Sequence, residues 1–289
     1  MVLRTISKFA LLCWFCVSTT ALGHGDPHEQ VEALNAILEK DPDHIASLLE
    51  RADIYRKHRH FEEALEDLNR VRLLSPSNTT VHYLTGLTLH ERGEFKEAET
   101  ALQIFINRSP SSPRGYVALA KVFSQQERHL NAAQAYELAI EYQSTPTPDH
   151  YLARAQAYRE AGRPYLSKAL EGLEEGIELI GPLITFRRLA IEIEIDQGHY
   201  QNAINRVDSI LHDVDRKETW LVKKASVLHS IGRHEEAKQQ FLLAERAIEL
   251  LPNRTKKSPA IRALRETIHK KLKFETQEGD GKNEPDTLP

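Results

Sequence analysis

The chain has 289 residues and a formal charge of −4 at neutral pH, a length that suits one elongated domain or two compact ones. Leu, Ala, Glu, Arg and Lys dominate, and aromatic residues make up only 7%, a composition that leans towards helix. No global basic field is present to draw the protein to nucleic acid or to a membrane, so a nucleic-acid partner is not expected.

In chain order, the first 23 residues stand apart. "MVLRTISK" carries two cations and no acid, "FALLCWFCV" is an apolar run, and "STTALG" supplies small residues before a polar stretch. The run is too short to cross a bilayer, which takes roughly 20 apolar residues. The three parts together predict a cleaved export signal over residues 1–23, a mature chain beginning at His24, and no transmembrane anchor after cleavage. Cys13 and Cys16 both lie in that signal. The mature chain therefore has no thiol for a disulfide, a zinc cluster or nucleophilic catalysis. Export without disulfides points to a bacterial cell envelope, the periplasm foremost, with secretion as the other destination.

Beyond the signal the sequence repeats itself. Ala64, Ala98 and Ala132 are spaced by 34 residues, as are Ala203 and Ala237. Twelve residues upstream of each alanine stand Ala52, Gly86, Ala120, Ile191 and Ala225, with Ala155 in the intervening unit, whose Ala169 comes two residues late. A third series is aromatic or leucine: Tyr55, Leu89, Phe123, Tyr158 and Leu228. Fixed self-similarity of this length means stacked supersecondary units. Apolar residues fall at helical spacing within each unit, and a polar turn such as "RGEF" or "IGRH" divides two short helices. Facing small residues let two backbones approach, and larger neighbours fill the space around the contact.

This pattern resembles the tetratricopeptide repeat family. Unit two carries it most fully, in Gly86, Leu89, Gly93, Phe95, Ala98, Leu102, Phe105 and Pro110. The resemblance implies an all-α, right-handed superhelical solenoid of helix-turn-helix repeats. It places six units at 45–78, 79–112, 113–147, 148–183, 184–217 and 218–251. Unit four departs, with a lengthened turn "GRPYLSKA" containing Pro164. Unit five departs too, with Ile191 where a small residue belongs and Glu194 where an aromatic belongs. An N-terminal capping helix is expected within 24–44, its face formed by Val31, Leu34, Ile37 and Leu38. A basic capping helix is expected within 252–274, with Ser258 as N-cap and Ile261, Leu264, Ile268 and Leu272 as its stripe. Residues 275–289, acidic and rich in Gly and Pro, read as a disordered tail.

In this family the concave face, lined by the first helix of each unit, holds an extended or helical segment of another protein. The register then nominates Leu49, Asp53 and Arg56 in unit one, and Tyr83, Leu87 and His90 in unit two. Unit three offers Arg114, Val117, Lys121 and Ser124, and units four and five offer Gln156, Arg159, Arg188 and Glu192. Val222, Ser226 and His229 follow in unit six. Mixed signs with interleaved apolar residues suit a peptide better than a phosphate backbone. Some family members clamp a terminal carboxylate with lysines and asparagines; Leu49 and Asp53 stand at those positions in unit one, so that device is not expected.

The reading that follows is a non-enzymatic scaffold or adaptor that binds a protein or peptide in the envelope. No Gly-rich phosphate loop, His-Glu-x-x-His pair or nucleophile elbow occurs, and neither catalysis nor a cofactor is expected. The alternative reading is copper handling: an N-terminal His24 with a free amine, and His28 four residues on, could chelate the ion.

Overall fold

The computed structural model describes residues 26–280. The expected signal, His24 and residues 281–289 of the expected tail lie outside the described residues. Among the described residues every regular element is helical. The chain divides into two compact bodies, residues up to Val81 and residues from His82 onward.

In the first body, α1 (Pro27–Lys40) opens on Asp26, whose carboxylate accepts a bond from the His28 backbone N–H at 3.1 Å. Pro27 stands in the first turn, where its missing N–H costs nothing. Leu34 and Leu38 are buried while Ile37 remains 44% exposed, so the packed stripe of α1 is narrower than its pattern suggested. Helices α2 (Ile45–Lys57) and α3 (Phe61–Leu74) follow. Ala52 and Ala64 are buried between them, with Leu48, Leu68 and Val71 filling the surrounding space. Asp67, also buried, is held by two bonds from Arg51, Nε at 2.8 Å and Nη2 at 2.6 Å.

The second body continues the alternation. Its pairs are α4 (Thr79–Arg92), from His82 onward, with α5 (Phe95–Arg108), then α6 (Pro113–Gln125) with α7 (His129–Tyr142). Next come α8 (Pro148–Glu160) with α9 (Leu166–Ile180), α10 (Ile184–Gln197) with α11 (Tyr200–Asp213), and α12 (Glu218–Ser230) with α13 (His234–Glu249). From α5 to α13 each helix packs on the next. Ala98, Ala120, Ala132, Ala155, Ala169, Ala203, Ala225 and Ala237 are all 0% exposed, so the recurring small residues form the inter-helix seams. Gly86 shows how tight a seam is: a Cβ there would sit 2.5 Å from Leu102 Cγ.

The turn inside each unit needs a positive φ, met by Gly93, Gly162, Gly198 and Gly232 in units two, four, five and six. Units one and three place Arg59 (φ 65°) and Glu127 (φ 57°) there instead. Side chains with a Cβ pay for that conformation.

Both departures noted in the sequence have local remedies. In unit four the extra residues form a 3-10 turn, Arg163–Tyr165, and Tyr165 stacks on Tyr158 at 6.1 Å, so α9 still buries Ala169 and Leu173. Arg154 of α8 is buried against α9, where its Nη2 donates to Gly172 O at 3.0 Å and to Glu175 at 2.6 Å. In unit five, Ile191 packs with Ala203, Val207 and Ile210. Glu194 is 2% exposed and receives Arg206, Nη2 at 2.8 Å and Nε at 3.2 Å, with Glu174 completing the group at 2.7 Å. An ion pair occupies the place of the aromatic.

The array closes on α14 (Asn253–Lys256) and α15 (Pro259–Asp280). Ser258 Oγ accepts from the Ile261 N–H at 3.4 Å, and Ile261 and Ile268 enter a core cluster with Phe241, Ala244 and Ile248. The basic residues also dock the helix: Arg265 pairs with Glu249 and with Glu245 at 3.2 Å, and Lys256 lies 3.3 Å from Glu249. Helix α15 runs on to Asp280, into the stretch expected to be tail from residue 275. The run "ETQE" contains no Gly or Pro, and the first glycine comes only at Gly279.

Candidate functional site

The first helices of units two to four build a cavity of about 400 Å³ in the second body, a size within the range of ligand sites. Tyr83 and Leu87 come from α4, and Arg114, Val117 and Lys121 from α6. These are five of the nominated residues in one place. Tyr83 lies 5.1 Å from the buried Phe105, and the Arg114 guanidinium lies over both rings, at 4.6 Å from Tyr83 and 5.2 Å from Phe105. Such stacking holds a cation in place while leaving its N–H groups free to donate. The other wall was not among the nominated residues. Gln143, Ser144, Thr145 and Thr147 line it from the α7–α8 connection, with His150 from the start of α8. The signal available was "QSTPTP", a connection rich in Ser, Thr and Pro where the repeat lengthens by one residue.

His150 Nδ1 lies 2.8 Å from Gln143 Oε1, tying the connection to α8. Burial pushes the His150 imidazole below its usual range, and the Lys121 charge lowers it further against Asp149. His90, nominated from the same face, does not line the cavity. Its ring packs 5.9 Å from Phe95, and burial lowers its pKa, with Lys121 again adding to the effect against Glu91.

A second cavity, about 450 Å³, lies between α8 and α10. It gathers three more nominated residues, Gln156, Arg188 and Glu192, beside Asp149, Leu152 and Leu189. Here the charges are mixed. Arg159 is committed inside the fold: Nη1 reaches Glu192 at 2.6 Å and Nε reaches Asp196 at 2.6 Å, linking units four and five.

The remaining nominations fare differently. In the first body, Leu49, Asp53 and Arg56 are half-buried on α2. Asp53 takes Arg56 at 2.6 Å and Lys57 at 2.7 Å. Burial raises its carboxyl pKa, but the bonds from Lys57 and Arg56 outweigh burial and hold it below the usual range. In unit six, Val222 is 7% exposed and belongs to the core cluster that includes Ile261 and Ile268 of the closing helix, so it is not open to a partner. A terminal unit has its face covered by the cap. Ser226 Oγ donates to Val222 O at 2.8 Å, and the His229 ring lies 5.0 Å from that of His234.

His28 is described, and its Nδ1 lies 3.4 Å from Glu32. Among the described residues no group of three potential metal ligands converges, and none of the helices is long and apolar enough to cross a membrane.

Two tetratricopeptide repeat models match the sequence, one over residues 49–113 and one over residues 113–146. No curated protein matches it. Among solved structures, the C-terminal part of a tetratricopeptide-containing protein from Cytophaga hutchinsonii superposes with a TM-score of 0.65 at 15% identity, covering 82% of this chain and 94% of that one. A tetratricopeptide repeat protein from Parabacteroides merdae gives 0.51 at 16% identity, covering 85% and 93%. YrrB, a tetratricopeptide protein with an unusual peptide-binding site, gives 0.54 at 16% identity, covering 69% and 98%. Tetratricopeptide repeats thus occupy residues 49–146, and the all-helical fold matches that of solved tetratricopeptide repeat proteins.

Proposed function

We propose that the chain is a non-enzymatic scaffold that captures a segment of another protein on the first-helix face of its second body. One observation carries this reading: the cavity on α4, α6 and α8, which Tyr83, Leu87 and Val117 line together with Arg114 and Lys121. Aromatic and arginine side chains set among apolar neighbours are the residue types that dominate binding energy at protein interfaces. YrrB shares the fold and has a peptide-binding site, at an identity that extends the likeness to fold alone.

The place of action we propose is a bacterial cell envelope, the periplasm foremost, which rests on the leader-like residues 1–23. Fractionation of the native host tests it: a mature chain starting at His24 in the periplasmic fraction supports export, and an uncut chain in the cytoplasm refutes it.

Binding is tested with Tyr83→Ala, Val117→Arg and Lys121→Glu, set against Leu138→Ser on α7, which lies away from the cavity. Each groove variant should lose recovery of the partner from envelope extracts while keeping the helical circular dichroism of the parent. Recovery unchanged in all three, or lost only in Leu138→Ser, removes the groove from the account.

A further inference from the structure

Resting on the groove reading above, we infer that the α4–α6–α8 cavity selects an acidic segment in which an apolar side chain lies between two carboxylates. Arg114, Val117 and Lys121 occupy positions i, i+3 and i+7 of α6, which places them along one face. At 1.5 Å per residue the two cations stand about 10 Å apart along the axis with the valine between them. No carboxylate lines this cavity. Among the described residues, neither Arg114 nor Lys121 is engaged in an ion pair, whereas Arg51, Arg154, Arg159, Arg187 and Arg206 each pair with an acid of the fold.

Arg114 is the second residue of α6, whose first turn holds no acid. A cation there opposes the positive end of the helix dipole, so the site is short of negative charge in the absence of a partner. The stack on Tyr83 and Phe105 holds the guanidinium of Arg114, an exposed residue that lines the cavity. A bound carboxylate relieves the repulsion and accepts charge-assisted bonds from Arg114. A second carboxylate meets Lys121, and the apolar side chain between them rests on Val117 and Leu87. The neighbouring α8–α10 cavity lacks this bias, because Asp149 and Glu192 line it together with Arg188.

The probe is a random twelve-residue peptide library displayed with fixed flanks, so that no free peptide terminus is offered, selected against the full chain at low ionic strength. Enriched peptides should carry two acids flanking an apolar residue. Synthetic copies with amidated ends should lose at least tenfold in affinity with Lys121→Glu or Arg114→Gln, and should weaken as salt is raised. Arg188→Glu should leave their affinity within twofold. Enrichment of neutral or basic peptides that still depend on Val117 and Tyr83 overturns the acidic preference and leaves the groove reading standing. Peptides insensitive to every groove variant, or no enrichment at all, overturn both.

Discussion

Replacing Arg206 by Ala tests how unit five tolerates an acid inside its packing. Glu194 is 2% exposed, and its carboxylate is held by Nη2 of Arg206 at 2.8 Å and by Nε at 3.2 Å. Truncating Arg206 leaves that charge buried with its principal partner gone, a class of change that costs about 3–5 kcal/mol. The Arg206 side chain is 19% exposed, so water can enter the space it leaves, and the cost should fall near the lower end, about 3 kcal/mol. Glu174, the other acid on Arg206, is 43% exposed and stays solvated. Replacing both residues with apolar ones, Glu194→Leu with Arg206→Met, removes the desolvation cost along with the attraction and should return stability to within about 1 kcal/mol of the parent. Urea unfolding followed by circular dichroism at 222 nm, with hydrogen exchange to locate the loss in α10 and α11, measures the cycle. An Arg206→Ala cost below about 1 kcal/mol, or a double variant as unstable as the single, refutes the reasoning.

Other outcomes follow from the same packing. Phe241→Ala, at a fully buried position, should lose about 3–5 kcal/mol, while Leu250→Ala, 88% exposed, should stay within about 0.5 kcal/mol in the same urea titration. Glu127→Gly should raise stability by up to about 1 kcal/mol, because glycine relieves the strained φ of 57° at a cost smaller than the strain; a lower urea midpoint would contradict this. His90 and His150 both have depressed pKa values, burial being the main cause. The folded state then binds fewer protons than the unfolded one, so their contribution is complete above the unfolded value near 6.5 and declines as pH falls through the lower folded values. Midpoints at pH 7.5 and pH 5.0 should differ less in His150→Gln than in the parent; an equal difference argues against a role for His150.

Much of the architecture was legible because the repeat signals are local. The small residues at Ala64, Ala98 and Ala132 mark the seams, and the residues numbered as unit starts, Ile45, Thr79, Pro113, Pro148, Ile184 and Glu218, are the first residues of helices. The two departures were visible as departures, but their remedies were not. Arg206 lies 12 residues from Glu194 and 32 from Glu174, and no periodic pattern announces a pairing at those distances. The site was legible on the helices and hidden between them. Register placed Tyr83, Leu87, Arg114, Val117 and Lys121 on one face, whereas the wall from Gln143 to Thr147 belongs to a connection outside the repeat pattern. Register also could not tell a free charge from a satisfied one. Arg159 and Arg188 read alike in sequence, yet only Arg159 is bound by two acids of the fold. Val222 was misplaced because the pattern treats the last unit like the others, although the closing helix joins its core.

The central claim is that a partner segment lies along the first helices at the cavity of α4, α6 and α8. Hydrogen–deuterium exchange of the full chain, with and without a saturating peptide from the library selection, tests it most directly. The account predicts slowed exchange in the α7–α8 connection, residues 143–147, and at the exposed ends of α6 and α8, with α5, α11 and α13 unchanged. Protection confined to the second helices, or spread evenly over the array, would contradict it.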